Sequence, residues 1–255
     1  MAATRTTPSR GWLVTEPARA GLDASALLAT FPLLAAAPRG DGHPVLVLPG
    51  LLTGDPATLV MRGVLRSLGH SVSGWSLGTN RGPTHHVVGR LRDQLDRLHR
   101  ESGRRVSLVG WSLGGLYAQE LARAAPGKVR GIVTLGTPVA RRAPWVRRVS
   151  RLADAAPLPA PAGALPRAWA ERGPLRVPAT SVYTRADGIV HWSACRHVLR
   201  ARRENVEVRG SHLGLGVNPA VLWLVADRLG TPEDAWHPFR PPLALRPFFP
   251  APRGT

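Results

Sequence analysis

The serine at the centre of Gly110-Trp111-Ser112-Leu113-Gly114 is the side chain of this sequence best placed to react. It follows the apolar run Val106–Val109 and precedes a helix-forming run, Leu116–Ala122. A strand, a Gly-x-Ser-x-Gly turn and a helix in this order hold a serine on a sharp turn with its hydroxyl exposed. Gly110 and Gly114 fit, because a side chain at either position would collide with the neighbouring strand or helix. The pattern predicts a nucleophilic serine. The alternative is a glycine-rich turn with a capping serine.

A serine hydroxyl is a poor nucleophile at neutral pH, so it needs a base within reach and an acid that orients the base. After a serine on this kind of turn, the chain order is Asp or Glu, then His. Asp187 follows the predicted strand Thr180–Tyr183, and His212 follows the predicted strand Val206–Val208. Since the carboxyl ends of parallel strands meet at one sheet edge, where such sheets bind ligands, we predict a catalytic group of Ser112, Asp187 and His212.

Other residues of the same types fit these roles less well. His43 precedes its strand and is expected at the opposite edge, and Asp154 is the rival acid, one strand earlier. The remaining histidines lie before the serine, in a predicted helix or in the tail: His70, His85, His86, His99, His191, His197 and His237. His212 as an ordinary loop histidine, and Asp187 as a turn residue before Gly188, stay open as alternatives.

A tetrahedral intermediate carries an oxyanion that needs preorganised amide donors. One is the amide of Leu113, which opens a helix whose dipole favours negative charge. The second is expected at Leu51, where Gly50 lets the backbone approach closely, although Pro49-Gly50 also fits a simple turn. Neither a metal nor a nucleotide cofactor is expected, because the sequence has no His-Glu-x-x-His, no Walker lysine and no GxGxxG after a strand.

The composition is strongly basic, with a net charge of +18 over 255 residues. All but one of the 34 basic residues are arginine, Lys128 being the exception, which is typical of a GC-rich genome. The arginines are scattered and no nucleic-acid motif accompanies them, so no nucleic-acid partner is expected. The single cysteine, Cys195, excludes an intramolecular disulfide and is compatible with a reducing compartment.

Alternating strand and helix patterns predict an α/β domain over residues 41–230, with a mainly parallel sheet of about six strands and helices on both faces. Residues 1–40 are expected to be a frayed start followed by a short helix at Ala24–Ala37, and residues 231–255 a proline-rich tail. The alternative for Ala24–Ala37 is a secretory signal, and we favour a cytoplasmic protein. Further elements are predicted as helices at Asp55–Leu68, Val87–Ser102, Val190–Arg200 and Asn218–Leu229, and as strands at Val45–Leu48, Ser71–Trp75 and Val129–Leu135.

The strand and helix alternation breaks between residues 138 and 178, where prolines and arginines accumulate. We predict a lid insertion over the carboxyl edge of the sheet. Its arginines recur near helical spacing around apolar residues, which could meet an anionic lipid interface, and a solvated arginine face is the favoured alternative. They are Arg141, Arg142, Arg147, Arg148 and Arg151, with Trp145, Val146 and Val149 between them.

The chain resembles the α/β-hydrolase superfamily, of the lipase/esterase-like branch, over residues 40–230. The resemblance rests on the serine motif and on four further segments, Leu48–Leu51, Thr134–Pro138, Asp187–Val190 and Gly210–Leu215. It implies hydrolysis of a small-molecule or lipid carboxylic ester through an acyl-serine intermediate, without a cofactor. The chain departs from many relatives in having Pro49-Gly50 where they have His-Gly, and in lacking a first hairpin.

Two other functions are compatible with the same residues. An acyltransferase would use the same catalytic group with an alcohol or amine as acceptor. A catalytically silent hydrolase-fold binding protein is disfavoured, because a chain that had lost catalysis would have little reason to keep Ser112, Asp187 and His212 all in place. No oligomeric state is predicted.

Overall fold

The computed structural model describes residues 7–139 and 173–250. Its strands are β1 (Pro44–Leu48), β2 (Ser71–Ser73), β3 (Val106–Trp111), β4 (Val129–Leu135), β5 (Ala179–Tyr183) and β6 (Arg203–Glu207). Its helices are α1 (Arg10–Leu34), α2 (Leu59–Ser67), α3 (His85–Ser102), α4 (Leu113–Ala124) and α5 (Pro219–Gly230). None of the helices in these ranges is long and apolar enough to cross a membrane.

The six strands form one parallel sheet in the order β2-β1-β3-β4-β5-β6. The central strands are apolar runs buried on both sides, as a parallel sheet covered by helices requires. Helices α1, α2 and α5 pack against one face of the sheet, and α3 and α4 pack against the other face. Two separate apolar cores therefore form. The predicted parallel sheet of about six strands with helices on both faces is confirmed.

Several predicted elements are confirmed with small shifts at their ends. Helix α3 ends at Ser102 and is capped by Gly103, whose φ of 64° a glycine adopts without strain. Asn218 caps α5 by accepting hydrogen bonds from the amides of Ala220 and Val221. Strand β2 stops at Ser73, because the amide of Trp75 donates a hydrogen bond to the Asp55 carboxylate at 2.8 Å. The same Asp55 opens a 3-10 turn, so α2 begins only at Leu59.

The helix predicted at Val190–Arg200 is wrong. The chain forms a 3-10 turn at Trp192–Cys195 and then continues in an extended conformation at Arg196. The reason is Asn205 of β6, whose side chain bonds both backbone groups of His197, at 2.7 Å to the amide and 2.9 Å to the carbonyl. These backbone groups are therefore unavailable to a helix.

The frayed start predicted for residues 1–20 is also wrong over its second half. Ser9 caps α1, which begins at Arg10 and runs through Pro17 and Pro32. The buried positions Glu16, Asp23, Leu27 and Leu34 recur on one face of this helix. That face packs onto the domain, and it orders the N-terminal segment.

Four other predictions can be compared with the structure only in part or not at all. The proposed lid, its arginine cluster and the rival acid Asp154 lie mostly or entirely in residues 140–172, outside the described ranges. The tail is described up to residue 250, and there it packs on β6 and α5. The amide of Phe239 donates to Glu204 at 2.7 Å, and the Phe239 ring contacts Phe249.

Candidate active site

Ser112 lies between β3 and α4 in a conformation that few residues other than glycine adopt. Its φ is 52° and its ψ is −118°. Such strain persists only where neighbouring structure imposes it, and it is concentrated at functional sites. Here the Ser112 amide donates to the Leu135 carbonyl at 2.8 Å, and the Thr137 hydroxyl donates to the Ser112 carbonyl at the same distance. The predicted sharp turn is therefore held by the end of the neighbouring strand β4.

The glycines around Ser112 are needed for close packing. A Cβ at Gly110 would overlap the backbone of Gly115, and a Cβ at Gly114 would overlap the Leu48 carbonyl at the end of β1. Both contacts are with backbone, which cannot swing aside. The predicted reason for Gly110 and Gly114 is thus confirmed by their surroundings.

Asp187 and His212 are brought together by the ends of β5 and β6. Asp187 Oδ2 lies 2.6 Å from His212 Nδ1, and both residues are buried. The other carboxylate oxygen, Oδ1, accepts the amides of Ile189 at 2.8 Å and Val190 at 2.6 Å. The carboxylate is therefore fixed on its own loop, and it fixes the imidazole with Nδ1 towards it, which leaves Nε2 without a hydrogen-bond partner among the described residues.

The environment of His212 favours its protonated form. Burial lowers the pKa of His212, but the charge of Asp187, the hydrogen bond to Asp187 and the charge of Glu16 outweigh burial. The net effect raises the pKa above the ordinary value for histidine. A base with a raised pKa accepts a proton more readily from a hydroxyl group.

Ser112 and His212 lie on adjoining loops of the same sheet edge. The indole Nε1–H of Trp111 donates to the His212 carbonyl at 3.1 Å. The imidazole packs against Gly136, where a Cβ would lie 2.9 Å from Nδ1. Within the described residues no hydrogen bond joins the Ser112 hydroxyl to His212 Nε2. Contacts between a nucleophile and its base are often long until substrate binds.

Two amide groups near Ser112 are available to a ligand. In the described part of the chain, the amides of Leu51 and Leu113 donate no hydrogen bond. The loop of Leu51 lies beside the serine, since a Cβ at Gly50 would be 3.4 Å from Ser112 Cβ. An oxyanion site requires two such donors beside the nucleophile.

Asn80 is a residue of this edge that the sequence analysis missed. It is fully buried, and its side-chain nitrogen donates to the Pro49 carbonyl at 3.0 Å. Its backbone carbonyl accepts the Leu52 amide, and its amide donates to the Thr53 carbonyl, each at 2.7 Å. Asn80 therefore fixes the loop on which the Leu51 amide lies. The only sequence signal was its place in a glycine-rich loop after β2.

Three further missed residues lie on α1. The carboxylate of Glu16 contacts the loops of both Asp187 and His212, Asp23 contacts Ser211, and Arg19 pairs with Glu16 at 2.9 Å. The sequence feature that could have indicated Glu16 and Asp23 is their seven-residue spacing, which places both on the helix face that also carries Leu27 and Leu34.

A second contact of the same residue types lies at the opposite, amino edge of the sheet. His43 Nδ1 is 2.5 Å from Asp41 Oδ1, and His43 Nε2 is 2.8 Å from Ser107 Oγ. The prediction that His43 lies at the opposite edge is confirmed. His43 is completely buried and Ser107 is 3% exposed, so a substrate cannot reach this contact. No group of residues in the described ranges is arranged to hold a metal ion.

Comparison with known proteins identifies the fold. No family model matches the sequence, and no curated protein matches it. Solved structures do match. A monoacylglycerol lipase from Paleococcus ferrophilus has 17% identity and a TM-score of 0.50, covering 74% of this chain and 97% of the lipase. A structure of the metagenome-derived lipolytic enzymes LipS and LipT has 15% identity and a TM-score of 0.55, with coverages of 75% and 93%.

A third solved structure, a polyneuridine aldehyde esterase variant, has 12% identity and a TM-score of 0.51, covering 73% of this chain and 97% of the esterase. Matches at these low sequence identities identify the fold, and no substrate is inferred from them. The six-stranded parallel sheet with helices on both faces agrees with these matches. This chain has the α/β-hydrolase fold.

Proposed function

We propose that this protein hydrolyses carboxylic esters, with Ser112 as nucleophile, His212 as general base and Asp187 as the residue that orients the base. The observation that carries the proposal is the buried Asp187–His212 pair on the sheet edge where Ser112 is held in a strained turn. Neighbours of the same fold that are described as lipolytic or as esterases support this choice among the reactions the fold can host.

The first half of the reaction forms an acyl-enzyme. The Ser112 hydroxyl oxygen bonds to the ester carbonyl carbon while its proton passes to His212 Nε2. The negative charge that develops on the carbonyl oxygen is stabilised by the amides of Leu51 and Leu113. As the intermediate collapses, the bond to the alkoxy oxygen breaks, and the imidazolium gives its proton to the departing alcohol.

The second half of the reaction restores the serine. His212 takes a proton from water, the resulting hydroxide attacks the acyl carbon, and the bond to Ser112 breaks as the serine oxygen regains a proton. Asp187 stays ionised throughout and stabilises the imidazolium each time it forms. The cycle needs no metal or cofactor, and its substrate class is a small-molecule or lipid ester.

The test compares p-nitrophenyl esters of increasing chain length in wild-type protein and in Ser112→Ala. We expect turnover in the wild type and a kcat at least about 10³-fold lower in the variant. The free energy of unfolding should be the same in both proteins. Ser107→Ala is the matched control, because this serine lies in β3, the strand that leads to Ser112, and contacts a histidine at the other edge. It should keep its turnover. Equal rates in Ser112→Ala and wild type would exclude the proposal.

A fluorophosphonate probe gives a second readout that does not depend on the choice of ester. It should label wild type and Ser107→Ala at Ser112 and leave Ser112→Ala unlabelled. If the folded wild type neither turned over any ester nor reacted with the probe, Ser112 would not be an activated nucleophile.

A further inference from the structure

Helix α1 places a buried carboxylate directly beneath the two loops that carry Asp187 and His212. Glu16 is 1% exposed. Its Oε1 accepts the amides of Gly188 at 2.8 Å and His212 at 3.2 Å, and its Oε2 accepts the amide of Leu213 at 3.0 Å. One side chain thus joins the loop after β5 to the loop after β6.

The hydrogen bonds of Glu16 fit an ionised side chain. Both of its oxygens accept from backbone amides, and Arg19 Nη2 donates to Oε1 at 2.9 Å. A protonated carboxyl group would carry a donor of its own and would lose acceptor capacity at one oxygen. Charge-assisted bonds of this kind are also stronger than bonds between neutral groups.

Close packing leaves little room for α1 to shift. A Cβ at Gly188 would overlap the backbone of Trp12, which lies one turn before Glu16 on the same helix. A Cβ at Gly214 would overlap the carboxylate of Asp23. The two loops therefore use glycine where the helix presses on them, and the loop positions depend on α1.

Glu16 also acts on the charge of the imidazole. Among the described residues, the charged groups around His212 are Asp187 on its ring, Glu16 beneath its backbone, Arg19 paired with Glu16, and Asp23 on the neighbouring Ser211. Both Asp187 and Glu16 raise the pKa of His212 against the effect of burial. Asp23 makes the same kind of backbone contact, but with Ser211 and not with His212.

We propose that Glu16 is a positioning residue of the active site, whose carboxylate joins the loops of Asp187 and His212 and stabilises the imidazolium that forms when Ser112 loses its proton. The role assigned to the imidazolium rests on the proposed function. The joining of the loops and the effect of Glu16 on the protonation of His212 do not.

The test is an NMR titration of the His212 imidazole in the whole protein, with its signal assigned by its loss in His212→Asn. In Glu16→Gln, which keeps the shape and removes the charge, we expect the pKa of His212 to fall by about half a unit to one unit. Glu16→Asp, which restores the charge on a shorter side chain, should return most of this shift. We expect kcat in Glu16→Gln to fall roughly tenfold while KM changes little.

Asp23→Asn is the matched control on the same helix. Asp23 accepts the Ser211 amide at 3.0 Å and the Ser211 hydroxyl at 2.8 Å, so its loss should lower stability. It should leave the pKa of His212 in place. If Asp23→Asn moved that pKa as much as Glu16→Gln does, the effect would come from loosening α1 as a whole, and the proposal for Glu16 would be overturned.

Arg19→Gln tests the charge of Glu16 through a pKa shift in the opposite direction. Removing this cation leaves Glu16 unneutralised, so the pKa of His212 should rise. If Glu16→Gln does not fold, Arg19→Gln decides the question, and an unchanged pKa there overturns the proposal. Because the titration needs no turnover, an inactive wild type would overturn only the ester-hydrolase function. An unmoved pKa in an active enzyme would overturn only the role of Glu16.

Discussion

Trp111 and His212 are joined by a hydrogen bond of 3.1 Å from the indole Nε1–H to the backbone carbonyl. Trp111 is the last residue of β3, directly before Ser112, and His212 lies in the loop after β6. The two strands are three places apart in the sheet. The bond therefore spans β4 and β5 and fixes the loop of the proposed base relative to the proposed nucleophile.

Trp111→Phe removes this bond while keeping an aromatic ring in place. We expect a loss of about 1 kcal/mol in the free energy of unfolding, since the His212 carbonyl loses a protein donor. We also expect kcat to fall several-fold at unchanged KM, because the base is less well held. Urea unfolding and ester turnover measure the two effects. Trp236→Phe, at the amino edge beside Ser107, is the control, and an equal fall of kcat in both variants would exclude this explanation.

Asp187→Asn tests the orientation of the imidazole. The amide group of Asn can donate to His212 Nδ1, which leaves the imidazole proton on Nε2, where it blocks transfer from Ser112. We expect kcat to fall by about 10⁴-fold. Asp234→Asn, at an exposed position in the tail, should keep the wild-type rate. A wild-type rate in Asp187→Asn would show that another group orients His212.

The pH dependence of the wild type follows from the raised pKa of His212. Only the neutral imidazole accepts a proton, so kcat/KM should fall as the pH falls through that raised pKa. We therefore expect the acid limb of the profile to lie above the ordinary pKa of histidine. A limb at or below that ordinary value would contradict the dominance of Asp187 and Glu16 over burial.

The parts of the fold that were predictable depend on short-range features of the sequence. Buried parallel strands are apolar runs, and Gly110 and Gly114 flank a serine at the spacing of a tight strand-to-helix turn. Because Asp187 and His212 each follow a predicted parallel strand, both could be assigned to the carboxyl edge of the sheet without any knowledge of their contacts. Each of these predictions needed only local patterns and the direction of the strands.

The parts that were missed depend on contacts between distant segments. Glu16 accepts a hydrogen bond from the amide of His212 across 196 positions, so the spacing of Glu16 and Asp23 on one helix face could not show which loop they contact. Helix α1 also continues through Pro17 and Pro32, although a proline inside a helix removes a backbone donor. In the same way, Asn205 extends the chain at His197, where the apolar residues of Val190–Arg200 favoured a helix.

Two glycines that differ in surroundings give a paired prediction on stability. At Gly114 an added Cβ would overlap the Leu48 carbonyl, whereas at Gly89 in α3 nothing lies within 4 Å. Gly114→Ala should therefore destabilise the fold by about 1–3 kcal/mol through overpacking. Gly89→Ala should stabilise it by about 0.5–1 kcal/mol, because alanine loses less backbone entropy in a helix. Urea unfolding measures both, and a gain in stability for Gly114→Ala would contradict the close approach of β1 and α4.

Acid should destabilise the fold through the buried histidine at the amino edge. Burial, with a contribution from the charge of Arg130, lowers the pKa of His43 to about 4, although Asp41 acts in the opposite direction. The unfolded chain binds this proton near the ordinary value of about 6.5, so between these two pH values it binds more protons than the folded chain. The stabilisation is complete above about pH 6.5 and is lost as the pH falls towards 4.

The expected loss from His43 alone is about 3 kcal/mol between pH 7.5 and pH 4. It appears as a fall in the urea midpoint over that interval. His43→Gln cannot gain the proton, so its midpoint should fall less over the same interval even though it starts lower. His85→Gln, at an exposed position at the start of α3, should follow the wild type. Equal acid sensitivity in His43→Gln and wild type would show that His43 is already protonated in the folded chain, hydrogen-bonded to Asp41 as an imidazolium.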